Sequence, residues 1–500
     1  MISVRNLLQQ SNGNSFLVFL LALFVFSSCE LFKPIQGDRN KDKEEKEEEL
    51  DPIGGGRIYN PETGEFEETP EVLVDKMDTI RWREISTREY PPITTEGVLA
   101  DNSGDGRDVV IGEGEFGTQL LRSYNVSMML PFLTDRFDGS DPNIDPNARW
   151  AVQFYTGAKL AMQKLDAEGV NLKVSVYDTK ANVLALNELI QRDTGFIQGS
   201  HLIIGTVRGE CVKRMADYAG DQQIPFVSPF SASSSITRGN PNPFYLQINP
   251  SLTTHLKELT RHAKENYNSD QIVLVAPGNN ERAKDRLRYL QMVNAELAGS
   301  TYVPRLEELI IDDETPTLEE TNIDIVMKNG RETVFIVPMW EDKAFIYAFL
   351  RKAYLASRYT PVVVYGMPQW QRFEDADYNY YENLNLHISS EYYVDNYDET
   401  VREFRQDYYD EYSTIPSAEA FRGYDNMLYF GRMLKQHGTK FYEFFDRSEN
   451  NSLHTNYSIQ PILTVKKDSY DRETFGEPER FENQFVHILK FEDFYFQPAE

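Results

Sequence analysis

From Tyr124 onward, short apolar runs alternate with longer stretches in which apolar residues recur every third or fourth position. The short runs are "YNVSMML" (124–130), "LKVSVYD" (172–178), "HLIIG" (201–205), "PFVS" (225–228), "QIVLVAP" (271–277), "TVFIVP" (333–338), "PVVVYG" (361–366) and "LHIS" (386–389). Most are continuous, the pattern of strands covered on both faces in a parallel sheet. Between them Ala151, Phe154, Tyr155, Ala158, Met162 and Leu165 fall on one helical face. So do Ala283, Leu287, Leu290 and Leu297, and Val401, Phe404, Tyr408 and Tyr412. The β-α-β-α order predicts an α/β fold of doubly wound parallel sheets, and so many strands suit two sheets better than one.

Ahead of Tyr124 this rhythm is missing. Phe16–Phe26 is an apolar run preceded by Arg5 and followed by Ser27, Ser28 and Cys29. The run is far shorter than the about 20 residues a bilayer span needs. Charge, short apolar run and small residues in that order are the layout of a secretory signal. "FSSC" resembles the lipobox of bacterial lipoproteins, with Phe26 bulkier than the usual leucine. The resemblance implies a signal peptide at 1–28, lipidation of Cys29 and anchoring to a membrane, the outer membrane (periplasmic face or cell surface) ahead of the inner one. Residues 29–56, with "NKDKEEKEEEL", read as a disordered acidic tether. Residues 57–123 read as a loosely structured extension, in which "NPETGEF" predicts a turn between two short extended pieces.

Composition narrows the function. The chain has 500 residues, enough for more than one core, and a formal charge of −28. A phosphate backbone demands a basic surface, so nucleic-acid binding is excluded. The sequence holds 2 cysteines. With Cys29 acylated, Cys211 has no intrachain partner, and its helical stripe with Val207, Val212, Met215 and Ala219 marks it as a small buried hydrophobe.

In the α/β segment, "SMMLPF" (127–132), "FYTGAKLAMQKLDAEG" (154–169), "IIGTVRGE" (203–210), "IPFVSPFSASSSIT" (224–237), "NPFYLQINPS" (242–251) and "FRQDYYDEYSTIPSAEAFRGYDNMLYFGRMLKQHG" (404–438) come in a telling order. Together they resemble type I periplasmic binding proteins of the leucine/isoleucine/valine-binding class. The resemblance implies two doubly wound lobes over residues 124–500, joined by a hinge of three chain crossings near 244–250, 389–395 and 450–460. Lobe 1 is expected at about 124–244 and 395–450, lobe 2 at about 245–390 and 455–500. The lobes would close on a ligand at the carboxyl ends of the strands.

The same resemblance places Thr206, Ser228, Ser231 and Ser233 on the first lobe's cleft edge, where hydroxyls and helix N-termini suit a carboxylate. Asn279, Trp340 and Tyr365 follow strand ends in the second lobe, and Tyr392 lies in the tyrosine-rich stretch 377–400. The sequence departs from the amino-acid binders at "SPFSAS", where Phe230 is bulky, and offers no clear acidic partner for an amino group. "DGSDPNID" (138–145) lacks the glycine turn and terminal glutamate of a calcium loop. No metal-ligand spacing, phosphate loop or nucleophile elbow stands out, so no metal, cofactor or enzyme activity is expected. The expected function is a membrane-anchored solute-binding lipoprotein holding a small polar, amino-acid-like or peptide-like ligand for an ABC permease. The alternative is a scaffold that regulates a cell-wall synthase.

Overall fold

Two seven-stranded sheets carry the molecule. The computed structural model describes residues 57–60, 65–68 and 108–499, apart from breaks at 138, 140–142, 300–302, 314, 449–451 and 468–472. The expected signal peptide, Cys29 and acidic tether lie outside the described residues, as does part of the 138–145 loop. In the unit spanning Met1–Asn102, the described residues are two strands, Arg57–Asn60 and Glu65–Glu68, paired antiparallel.

The rest belongs to the second unit, Ser103–Glu500. Its sheet strands are β1 (Tyr124–Leu130), β2 (Leu172–Asp178), β3 (Leu202–Gly205), β4 (Phe226–Ser228), β5 (Tyr245–Gln247), β6 (Ile272–Pro277), β7 (Glu307–Ile311), β8 (Thr333–Ile336), β9 (Val362–Gly366), β10 (His387–Ser390), β11 (Ile459–Lys467), β12 (Glu473–Asn483), β13 (His487–Glu492) and β14 (Tyr495–Pro498). The first lobe's sheet runs β2-β1-β3-β4-β5-β12-β11, and the second's runs β7-β6-β8-β9-β10-β13-β14. Each is parallel over its first five strands. In the first lobe β12 also runs parallel to β5, and β11 turns back along it; in the second, β13 and β14 are antiparallel.

The continuous apolar runs are buried on both faces, as their patterning predicts. In the first lobe Val126, Met128, Ile204, Val227 and Leu246 fill one face, and Met129, Ile203, Phe226 and Tyr245 fill the other. The two-residue period of a strand produces this split, and the register Met128↔Ile204 keeps it across the sheet. Cys211 is buried in the second of these clusters. The second lobe has one core of β6–β10 and their helices. Side chains of Asn182, Ser251, Asn280, Asp342 and Asp398 cap the helices that follow them by accepting first-turn N–H groups.

The helices Arg149–Ala167 and Ala418–His437 cover one face of the first sheet and touch through glycines. A Cβ on Gly157 would meet the Ala420 carbonyl oxygen at 1.9 Å, and one on Gly423 would meet that of Phe154 at 1.9 Å. The small-residue surface of the first helix therefore serves a helix–helix contact as well as the sheet.

Three expectations are corrected. Tyr245–Gln247, expected at the first crossing, is a strand of the first lobe; the chain crosses after it and enters the second lobe at the helix Leu252–Asn266. Residues 459–483, expected in lobe 2, form β11 and β12 of lobe 1, so the third crossing is between Asn483 and His487 and not near 450–460. β12 reads "ETFGEPERFEN", and its buried Arg480 and Glu482 neutralise each other, which hides an inward-facing strand behind charged letters. Finally, Val110–Glu113 and Gln119–Leu121 form a hairpin pinned to the first lobe. There Thr118 Oγ1 donates to the His437 carbonyl at 2.6 Å and Gln119 N–H to Thr439 Oγ1 at 3.1 Å. The extension expected to end at residue 123 thus ends in ordered structure.

Candidate functional site: the interlobe cleft

A cavity of about 410 Å³ lies where the two lobes and the hinge meet. The first crossing supplies Asn249 and Pro250, and the second supplies Ser390, Glu391 and Tyr392. The second lobe adds Trp340 after β8 and Met367, Pro368, Gln369, Gln371 and Arg372 after β9; the first adds Ala232, Ala418 and Arg422. These lobe residues follow the carboxyl ends of parallel strands or open a helix, the position where an open α/β sheet presents loops and unpaired helix N–H groups. The volume falls within the range of small-molecule sites, about 300–1,000 Å³.

Two aromatic side chains are held in place by arginines. The Arg286 guanidinium lies over the Trp340 ring at 4.2 Å from its centroid. Arg286 is itself fixed by the Pro338 carbonyl at 3.0 Å and by both oxygens of Glu341. Arg422 lies over Tyr392 at 5.2 Å, and burial pushes the Tyr392 phenol up to about 12. Such cation–aromatic contacts fix ring orientation as well as adding attraction.

The cleft's charges are unequal. Arg422 Nη2 donates to Glu391 Oε1 at 3.0 Å, and both side chains are largely buried, at 13% and 20% exposure. Burial is the largest influence and by itself would raise the Glu391 carboxyl; the Arg422 charge and the hydrogen bonds the carboxylate accepts together outweigh it and hold the group below its ordinary value. His255 sits beside them with Nδ1 at 2.9 Å from Ser389 Oγ. Complete burial lowers its pKa to about 4, so the imidazole is neutral at pH 7. Arg372 is exposed and has no hydrogen bond or ion pair among the described residues.

The hinge beneath is polar and buried. Glu482 on β12 accepts the Ser251 N–H at 3.0 Å, Thr254 Oγ1 at 2.6 Å and Arg480 Nη2 at 2.6 Å. A first-lobe strand thereby caps the second lobe's first helix. Asp425 accepts the backbone N–H groups of Leu453 and His454 and pairs with His454 Nδ1. The His454 carbonyl in turn accepts from Tyr393 N–H at 3.0 Å and lies 3.1 Å from His487 Nε2, joining the second and third crossings.

The cavity gathers Trp340 and Tyr392 from the expected site residues, and not the others. Tyr365 is a core residue of the second lobe, bonded to His262 Nδ1 at 2.9 Å and stacked on His387. Its position at the end of β9 still leaves it beneath the sheet surface. Asn279 is exposed and borders a separate cavity of about 630 Å³ at the ends of β6 and β7. Thr206 and Ser228 are fully buried in the first lobe. Just before Thr206, Gly205, at φ +111°, brings the chain so close to Met129 that a Cβ would meet its carbonyl oxygen at 2.0 Å. Ser228 and Ser231 lie by the buried Tyr245 phenol, whose pKa burial raises. Ser233 is exposed and bonds Ser235 Oγ at 2.7 Å, while its neighbour Ala232 reaches the cavity. Phe230, bulky in sequence, does not border the cavity; it packs on Trp150 and Phe154 at 5.0 and 5.3 Å.

Sequence reasoning missed Glu391, Arg422, Arg372 and His255. Arg422 lay in view within "AFRGYDN", but nothing in the chain links it to a glutamate 31 residues earlier.

No protein-family model matches the sequence, and no curated protein matches it. Solved structures do. A protein from Rhodospirillum rubrum described as a branched-chain amino acid ABC transporter aligns over 75% of this chain and 100% of its own, at 15% identity and a TM-score of 0.50. This chain has the type I periplasmic binding protein fold. Further structures with this fold include an ABC transporter substrate-binding protein from Desulfitobacterium hafniense in complex with Leu, at 15% identity and a TM-score of 0.44, over 75% of this chain and 100% of that one. The binding protein LivJ from Streptococcus pneumoniae in complex with isoleucine aligns at 13% identity and a TM-score of 0.40, over 76% and 99%. At such identities the type I fold is what is shared, and the chemistry of the cleft has to be argued from its own residues.

Proposed function

We propose that this protein is a solute-binding protein without catalytic activity, which holds a small polar molecule between its lobes. The observation that carries the reading is the cavity of about 410 Å³ between the lobes, walled by Trp340 and Tyr392 and floored by Asn249, Glu391 and Arg422. A mostly apolar wall with a few directed polar groups is the usual make-up of a small-molecule site. Lobe closure about the three crossings would remove the ligand from water. With Cys29 as the lipidated residue, the protein acts at the cell envelope, tethered to the outer membrane, and delivers its ligand to an ABC permease.

The alternative, a scaffold that regulates a cell-wall synthase, is favoured by a closed cleft. Phe230, the side chain that would close it, is committed to Trp150 and Phe154. The solute-binding reading is therefore preferred.

Thermal unfolding of the purified protein with amino acids, short peptides, sugars and carboxylic acids tests it. A ligand at 100 times its Kd stabilises by about 2.7 kcal/mol, a shift of several degrees in a domain of this size. A melting temperature unmoved by the whole panel contradicts the proposal.

A further inference from the structure

Resting on the solute-binding reading, we propose that the cleft selects carboxylates that carry no ammonium group, so that its ligand is an organic acid and not an α-amino acid. The argument concerns which charges in the cavity are engaged. An α-amino acid presents one anion and one cation, each needing a partner when water is excluded. Among the residues that border the cavity, Glu391 is the carboxylate, and it is engaged by Arg422 at 3.0 Å. Glu341, next to Trp340, is engaged by Arg286. An ammonium entering the cavity would meet carbonyl and hydroxyl oxygens but no unengaged carboxylate among the described residues.

The situation of an anion is the reverse. Arg372 is exposed at the cavity and has no partner among the described residues. Gln369 and Gln371 precede it on the same turn, and Asn249 borders the cavity from the hinge. A guanidinium can hold a carboxylate through two parallel hydrogen bonds. The helix Ala418–His437 also begins at the cavity, and the field of a helix N-terminus favours the same sign of charge, whereas the start of Leu252–Asn266 is already engaged by Glu482. The lining thus carries two arginines against one glutamate, in a protein whose formal charge is −28. Trp340 and Tyr392 leave the body of the acid an aromatic or aliphatic berth.

Matched pairs differing only in the ammonium test this: 4-methylpentanoate against leucine, 3-phenylpropanoate against phenylalanine and succinate against aspartate, with glucuronate against glucose as a pair differing in the carboxylate. Titration calorimetry on the full chain should show the acid of at least one pair binding about tenfold or more tighter than its counterpart, the size of one charge-assisted hydrogen bond. The Arg372→Gln variant should lose about tenfold for that acid, and Arg422→Gln, which releases Glu391, should narrow the gap between leucine and 4-methylpentanoate. Amino acids binding as tightly as their deaminated partners, or tighter, would overturn the inference and leave the solute-binding reading standing. Silence from every compound would overturn both.

Discussion

The interior of the second lobe and the hinge below the cleft are both buried, yet they are built from opposite materials. Every residue of β6, β8 and β9 is buried, and nearly all are aliphatic or aromatic. In the hinge, Glu482, Arg480, Asp425 and His454 are buried just as deeply. Dispersion and the hydrophobic effect are non-directional, so the sheet interior stabilises each lobe without fixing how the lobes meet. Charge-assisted hydrogen bonds have defined lengths and angles. Glu482 joins a strand of one lobe to the first helix of the other, and the His454 carbonyl joins two crossings. The contrast assigns stability to the lobes and geometry to the hinge.

The sharpest way to break this comparison is Glu482→Ala. It leaves the buried Arg480 guanidinium with only the more exposed Glu479 as a carboxylate partner and removes the acceptor of Ser251 N–H and Thr254 Oγ1. Urea unfolding should show a loss of about 3–5 kcal/mol, the range for breaking a buried ion pair. Ile336→Val, in the dry sheet, should cost about 0.5–1.5 kcal/mol. A larger loss at Ile336 than at Glu482 would reverse the contrast.

Acidification should have an effect of comparable size. Burial lowers His255 and His387 from 6.5 to about 4. Between those values the unfolded chain binds protons that the folded chain refuses. Stability should therefore hold above pH 6.5 and fall as pH drops toward 4, by at most about 1.4 kcal/mol per pH unit for each histidine. Unfolding free energies measured from pH 7 to 4.5 check this, and His387→Gln should flatten the slope. Smaller again is Gly157→Ala. Its Cβ would press on the Ala420 carbonyl and spread the helix pair, at about 1–3 kcal/mol by chemical denaturation.

The parallel strands β1–β4, β6 and β8–β10 were legible because most are continuous apolar runs, and periodicity separates them from the helices. β12 was not, because a buried Arg480–Glu482 pair looks polar letter by letter. β5 was hidden between two prolines at 243 and 250 that read as a linker. Trp340 was legible in the cleft as an aromatic in a loop after a strand. Tyr365 matched the same rule and failed it, since one strand position decides whether a side chain reaches the rim or the core. Glu391 and Arg422 meet only through the fold, across 31 residues, and no local pattern announces them.

The central claim is that a solute sits between Trp340 and Tyr392 in the interlobe cleft. Titration calorimetry of the native chain beside Trp340→Ala, using the panel compound that most raises the melting temperature, tests it most directly. The account predicts binding to the native chain and a loss of about tenfold or more in a variant whose far-UV circular dichroism is unchanged. Equal affinity in the two proteins would place the ligand elsewhere and contradict it.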